Sequence, residues 1–282
     1  MTSRKPPAAP NEEFWREFLT RGDSVRSVAA PVTNWLIDAV AVQPGETILE
    51  LAAGAGDAGF ALIEWLGPGG RLISSDLSPA TVEVARRAAA ERALDTIEFR
   101  VLDAQQIEMP SESVDAVICR WGFMLMDDPA SAFRETARVL RPRGHLAFSV
   151  WGDPARNAWT TIDAEICARL GYAPRVAPTD PGGMFSLADP VRLREIVEES
   201  GLAVRRLEMV AVDWPYVSVE DYLAIEVGQT GPRADYIRGL SAVKQAQAPS
   251  LAADLLEPFR TDTGYLVPGE TLNVLADMAP QA

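Results

Sequence analysis

The hydrophobic positions change their period along the chain. Phe14, Trp15, Phe18 and Leu19 recur at helical spacing within residues 11–43, with a break near Gly22 and Asp23, and predict a helical cap. From residue 46 onward short β-rich runs at 47–51, 71–75, 97–101, 114–119 and 145–151 alternate with helical stretches. That alternation predicts βαβ units and a mostly parallel sheet with helices on both faces. Ser78-Pro79, Asp128-Pro129 and Asp189-Pro190 each place a capping oxygen before a proline, the signature of a helix start, and Gly201 closes the third of these helices. Residues 202–214 then read as one long strand and 271–277 as the last. A polar, helical 218–260 lies between them. The predicted organisation is a disordered tail at 1–10, a helical cap at 11–43 and one α/β domain at 44–282, with lid insertions at about 152–188 and 216–262.

Composition narrows the class of partner. With 48% hydrophobic and 23% charged residues in 282, the chain is expected to be an ordinary globular protein. Its 26 Lys and Arg against 40 Asp and Glu give a net charge of −14, which repels a phosphate backbone or an anionic membrane surface, so nucleic acid is not expected as a partner. Cys119 and Cys167 are too few for a disulfide framework or a zinc cage, and each is expected to be a small buried hydrophobe; no metal is expected. The first ten residues, MTSRKPPAAP, lack the apolar stretch of a signal peptide, and no apolar run is long enough to span a bilayer. A cytoplasmic location is expected.

Candidate chemistry centres on the loop after the first strand, Gly54-Ala55-Gly56-Asp57-Ala58-Gly59. Ligands of open α/β sheets sit beyond the carboxyl ends of the strands, where the strand order reverses. This spelling fits a dinucleotide, whose pyrophosphate would rest on the following helix N-terminus. Asp57 lies inside that cradle. A carboxylate ~5 Å from a phosphate, at an effective dielectric of ~20, is repelled by about 3 kcal/mol. Glu50, at the end of the first strand, adds to this. A ligand carrying sulfonium and ammonium groups, such as S-adenosylmethionine (SAM), has the opposite preference. Asp76, after the second strand, is placed to accept hydrogen bonds from both ribose hydroxyls, and Asp103, after the third, to read the adenine amino group, with the Ala104 N–H for a ring nitrogen. An NAD-dependent oxidoreductase is the alternative enzyme, and a non-catalytic SAM-binding protein the alternative without turnover.

EL-AAGAGD at 50–57, ISSDLS at 73–78, VLDAQQIEMP at 101–110, SVDAVICRWGFMLMDDP at 113–129 and RETARVLRPRGHLAFSVW at 134–151 resemble, in order and spacing, the class I SAM-dependent methyltransferases. Within these the chain is most similar to the group containing the ubiquinone and menaquinone C-methyltransferases. The resemblance implies a Rossmann-like seven-stranded sheet ending in an antiparallel hairpin, with the last strand inserted between the fifth and sixth. By matching positions, Glu50, Ala52, Gly54 and Gly56 would hold the methionine part of SAM, Asp76 and Leu77 the ribose and its surroundings, and Asp103 with Ala104 the adenine. Asp57 belongs to the same site. Ala52 stands where the family has its first loop glycine.

The acceptor is expected to be a small molecule. Trp121, Phe123, Met124 and Trp151 fall at the ligand end of the sheet and suggest an apolar pocket for a lipophilic or aromatic acceptor, methylated on O or C. Arg120, just beyond the fourth strand, is a candidate partner of the SAM carboxylate. Asp127 is a candidate base. The sole histidine, His145, starts the fifth strand and so lies at the opposite end of the sheet.

Overall fold

The structure is a computed structural model and describes residues 22–173, 177–228 and 232–279. The helical residues expected around Phe14 to Leu19, and the tail before them, lie outside the described residues. Helix α1 (Gly22–Val40) begins where the sequence places its break. Five runs become β1 (Thr47–Glu50), β2 (Arg71–Asp76), β3 (Ile97–Val101), β4 (Val114–Arg120) and β5 (Leu140–Trp151). Between and after them come α2 (Asp57–Phe60), α3 (Ile63–Leu66), α4 (Pro79–Glu91), α5 (Pro129–Val139), α6 (Ala158–Arg169) and α7 (Pro190–Glu199). The proline-led helices are capped as their sequences require. Ser78 Oγ accepts from Thr81 N at 3.3 Å, Asp128 Oδ1 from Ser131 N at 3.0 Å, and Asp189 Oδ1 from Val191 N at 2.9 Å.

With β6 (Leu202–Ala211) and β10 (Glu270–Met278), these strands form one sheet in the order β3-β2-β1-β4-β5-β10-β6. Strands β1 to β5 pair in parallel, and β10 runs antiparallel to both its neighbours. The last strand thus lies between the fifth and sixth, as the resemblance implies. A dinucleotide fold of six parallel strands has no such insertion. Strand order reverses between β1 and β4, and right-handed crossovers on either side of that reversal send helices to opposite faces. On one face α5 packs on β5 and α7 on β6; on the other α1 lies across β4, β5, β10 and β6. Val28, Val32, Leu36 and Val40 of α1 are buried, a four-residue recurrence that turns one side of the helix to the sheet.

The long sixth strand predicted at 202–214 ends at Ala211. Its partner β10 starts at Glu270, opposite Ala211, so the chain beyond has no ladder to continue. Residues β7 (Trp214–Tyr216) pair instead with β9 (Gly264–Val267), which also pairs β8 (Arg260–Thr261), in a second, three-stranded antiparallel sheet. The helical stretch expected at 218–260 is present as α8 (Val219–Gly228), α9 (Pro232–Arg238), α10 (Ala242–Gln245) and α11 (Ala248–Leu256), and α6 packs against α9 and α11. Among the described residues no helix is long and apolar enough to cross a membrane. Cys119 and Cys167 are both buried, and neither forms a disulfide.

Candidate functional site

The loop after β1 and the turn after β4 flank the point where the strand order reverses. Leu51 N donates to Ile118 O and Ala53 N to Ser75 O, both at 2.9 Å, so the chain stays anchored to strands on both sides before it turns. Gly54 (φ 58°) and Gly56 (φ 85°) then supply left-handed backbone that brings the chain into α2. Gly59, the third glycine of the spelling, has a different cause. A methyl there would lie 2.3 Å from Glu50 Oε2, and Gly59 N donates to Glu50 Oε1 at 2.8 Å. It makes room for an acid, not for a phosphate. Ser74 Oγ donates to the other carboxylate oxygen at 3.2 Å, and Glu50 is 2% exposed. Burial pushes its pKa up to about 8, against the opposing pull of the Gly59 N–H, the Arg120 charge and Ser74.

At the neighbouring strand ends, Asp76 Oδ2 accepts from Gly54 N at 3.1 Å and Oδ1 from Ser78 N at 3.0 Å, so one carboxylate ties the glycine loop to the start of α4. Burial raises its pKa from the ordinary aspartate value, against the opposing pull of the Ser78 and Gly54 N–H groups. Leu77 and Val101 are both 56% exposed, unusual for apolar side chains at sheet ends, and flank this corner. Asp103 Oδ1 accepts from Gln105 N at 2.8 Å and lines an open cleft of about 410 Å³ with Val101, Leu102 and Gln106. Ala104 is buried beside it.

A methyltransferase domain family matches residues 49–148, which span this whole corner from β1 to β5. Within the curated relatives, the arsenite methyltransferase of Halobacterium salinarum is 36% identical over 109 residues, 39% of this chain and 28% of that protein. The nocamycin O-methyltransferase of Saccharothrix syringae is 28% identical over 66% of this chain and 73% of its own. A ubiquinone/menaquinone biosynthesis C-methyltransferase of Hahella chejuensis is 27% identical over 61% and 72% respectively. Among solved structures, a methyltransferase-like protein of Bacillus halodurans superimposes with a TM-score of 0.59 at 18% identity, covering 88% of this chain and 98% of that one. Residues 49–148 carry a methyltransferase domain.

Seen in this methyltransferase, the acidic residues divide into two groups. Asp76 and Asp103 lie at open strand ends, whereas Glu50 and Asp57 are turned inward. Asp57 Oδ1 accepts from Arg92 Nη2 at 2.7 Å and has Arg26 at 3.7 Å. The repulsion expected between Asp57 and a diphosphate is therefore largely cancelled by two cations, and Glu50, with its pKa near 8, adds little negative charge at neutral pH. Charge at these two positions does not separate SAM from NAD; the strand order and the family do. Arg120 is also turned inward. Its Nη1 donates to Thr33 Oγ1 of α1 at 2.7 Å, and its other electrostatic partners are Glu50 and Asp57.

The residues expected to line the acceptor pocket also divide. Phe123 is wholly buried, with its ring 4.2 Å from Phe133 and 5.2 Å from Phe148, and Met124 is 2% exposed. Both belong to the core beneath the sheet, because the 3₁₀ turn Phe123–Leu125 directs them inward and Leu125 outward. Trp121 and Trp151 do meet, stacked at 4.7 Å with 16° between planes. Trp159 lies 5.0 Å beyond Trp151, and Trp214 5.1 Å beyond Trp159, giving a column of four indoles. Trp159 and Trp214 come from segments more than 50 positions apart in sequence, and folding brings both into the column. Asp127 is exposed, with Gly182 of the insertion close by. His145 Nδ1 lies 2.8 Å from Asp277 Oδ1, at the opposite end of the sheet from this site. Sequence reasoning missed Arg92, Thr33, Ser74 and Gly59, which hold the site from behind; of these only Gly59 carried a visible signal, as part of the glycine spelling.

Proposed function

We propose that the protein transfers a methyl group from SAM to an oxygen or carbon atom of a small, lipophilic or aromatic acceptor in the cytoplasm. The observation that carries the acceptor's character is the column of four tryptophans running from the end of β4 to the second sheet. Trp151 and Trp159 in its middle are buried and Trp121 and Trp214 at its ends half-buried, so it forms an apolar wall at the end of the sheet where open α/β folds bind ligands. An O-methyltransferase named for nocamycin and a C-methyltransferase of quinone biosynthesis among the relatives support the same class.

For the cofactor, Gly54, Gly56 and Ala52 are assigned to the methionine part, Asp76 and Leu77 to the ribose, and Asp103 with Ala104 to the adenine. Glu50, Asp57 and Arg120 position the loop from behind. The groups present fit SAM. The Asp76 carboxylate spends one lone pair per oxygen on Gly54 N and Ser78 N, which leaves acceptor capacity for two hydroxyls. SAM bound here supplies an electrophilic methyl on a sulfonium. Transfer is an in-line displacement, so the surrounding side chains serve to align the acceptor and exclude water, and Asp127 is retained as the candidate base. The test is incubation with methyl-labelled SAM and a panel of phenols, quinols and acidic-carbon compounds. Label is expected in the organic-extractable fraction; cofactor binding with no transfer to any small molecule would sink the proposal.

A further inference from the structure

Two residues with side chains and left-handed backbone face each other across the switch point, Ala52 at φ 50° and Trp121 at φ 59°. A methyl built on Gly122 would fall 2.6 Å from Ala52 Cβ, so the two turns are in close contact. Backbone of this kind is strained for any residue bearing a Cβ, and such strain gathers at ligand sites. Trp121 is held there by its N–H, which donates to Ser149 O at 2.9 Å. One face of its indole is covered by Trp151 at 4.7 Å. The Arg120 guanidinium, 5.3 Å from the ring centroid, takes the other. What remains to meet a ligand is the ring edge. Its Nε1 is buried and has no hydrogen-bond partner, and the same is true of Trp214 Nε1 at the far end of the column. A buried donor left unpaired costs free energy that an apolar ligand does not return and an oxygen does.

We propose that Trp121 is a specificity-determining residue of the acceptor site: its indole N–H donates to an oxygen of a flat, oxygen-bearing acceptor and thereby orients that molecule. The inference rests on the methyltransferase reading above and names the acceptor's chemistry within it. The oxygen is assigned to the acceptor and not to SAM because the Trp121 ring stacks on Trp151 and so joins the tryptophan column. An apolar column with unpaired indole donors at both ends suits a planar molecule with oxygen at its periphery.

The test uses the full chain with ¹⁵N-labelled tryptophan, the Trp121 indole resonance being assigned by its loss in Trp121→Phe. With S-adenosylhomocysteine bound, 2-naphthol and its oxygen-free counterpart naphthalene are titrated separately. The expected result is a downfield shift of the Trp121 N–H with 2-naphthol alone and at least tenfold tighter binding of 2-naphthol than of naphthalene. Trp121→Phe is expected to lose that preference while binding S-adenosylhomocysteine within twofold of wild type. The proposal is overturned if S-adenosylhomocysteine by itself produces the full shift, if Trp121→Phe keeps the preference, or if neither probe perturbs the resonance while the homocysteine nucleoside binds. Failure of wild type to bind S-adenosylhomocysteine strikes instead at the methyltransferase reading on which this inference stands.

Discussion

Glu50 shows what a single buried acid does to this site. In the unfolded chain it titrates near 4.5, and in the folded protein near 8, because burial disfavours its charge more than Gly59 N, Arg120 and Ser74 favour it. Between those values folding takes up a proton, so stability falls as pH rises, by about 1.4 kcal/mol per pH unit from this group. Below pH 4.5 and above pH 8 its contribution is flat. Glu50→Gln keeps an oxygen for Gly59 N and removes the titration. Its urea-unfolding free energy is expected to lose this downward slope between pH 5 and 8, and an unaltered slope relative to wild type would contradict the assignment. Ala52 carries strain of another kind. Glycine at φ 50° relieves the clash of a Cβ with its own carbonyl, and although it loosens the unfolded chain, Ala52→Gly is expected to gain about 0.5–1 kcal/mol in the same measurement. Asp76→Ala is expected to weaken SAM binding at least tenfold by calorimetry, since charge-assisted hydrogen bonds of about 1.5–3 kcal/mol are lost. Unchanged affinity would place the ribose elsewhere.

At the scale of elements, local chemistry explains why the helices begin where they do. Ser78, Asp128 and Asp189 each accept from a backbone N–H of the first turn, and the proline that follows has no N–H to leave unpaired. Asp189→Ala is expected to cost about 1 kcal/mol in unfolding free energy without altering SAM affinity, because α7 packs on β6, away from the glycine loop. The loop elements behave differently. α2 is only four residues long and owes its position to contacts from other elements: Glu50 from β1, Arg92 from the end of α4, and Arg26 from α1. A helix this short has too few internal hydrogen bonds to persist alone. The boundary of β6 is also a matter of partners. Nothing in residues 202–214 stops a strand at Ala211, yet the ladder ends where β10 begins, and Trp214 joins a second sheet.

Across the whole molecule, the sheet and the helical segment from α8 to α11 differ in how they are held. β4, β5, β10 and β6 are paired on both sides or covered by α1, α5 and α7, whereas α8 to α11 rest on one another, on α6 and on the short strand β7. Amide exchange is therefore expected to be slowest in β4, β5 and β10 and fastest in the segment from α8 to α11. Uniform protection across both regions would show these helices to be as firmly bound as the sheet.

Periodicity, capping residues and small-residue spelling are local properties, legible from neighbours a few positions apart, so the sequence by itself determined the alternation of strands and helices, the three proline-led helix starts and the glycine loop. It also placed Asp76 and Asp103 at strand ends. Direction and partnership come from distant contacts, and these only the tertiary structure decided. Whether Glu50 faces a ligand or Gly59, whether Asp57 is bare or paired with Arg92 35 positions away, and whether Phe123 lines a pocket or fills the core all depend on chain segments that meet only on folding. The tryptophan column has the same origin. Trp121 and Trp151 are legible in the sequence as aromatics at the ligand end of the sheet, but four indoles come into contact only when β4, β5, α6 and β7 fold together.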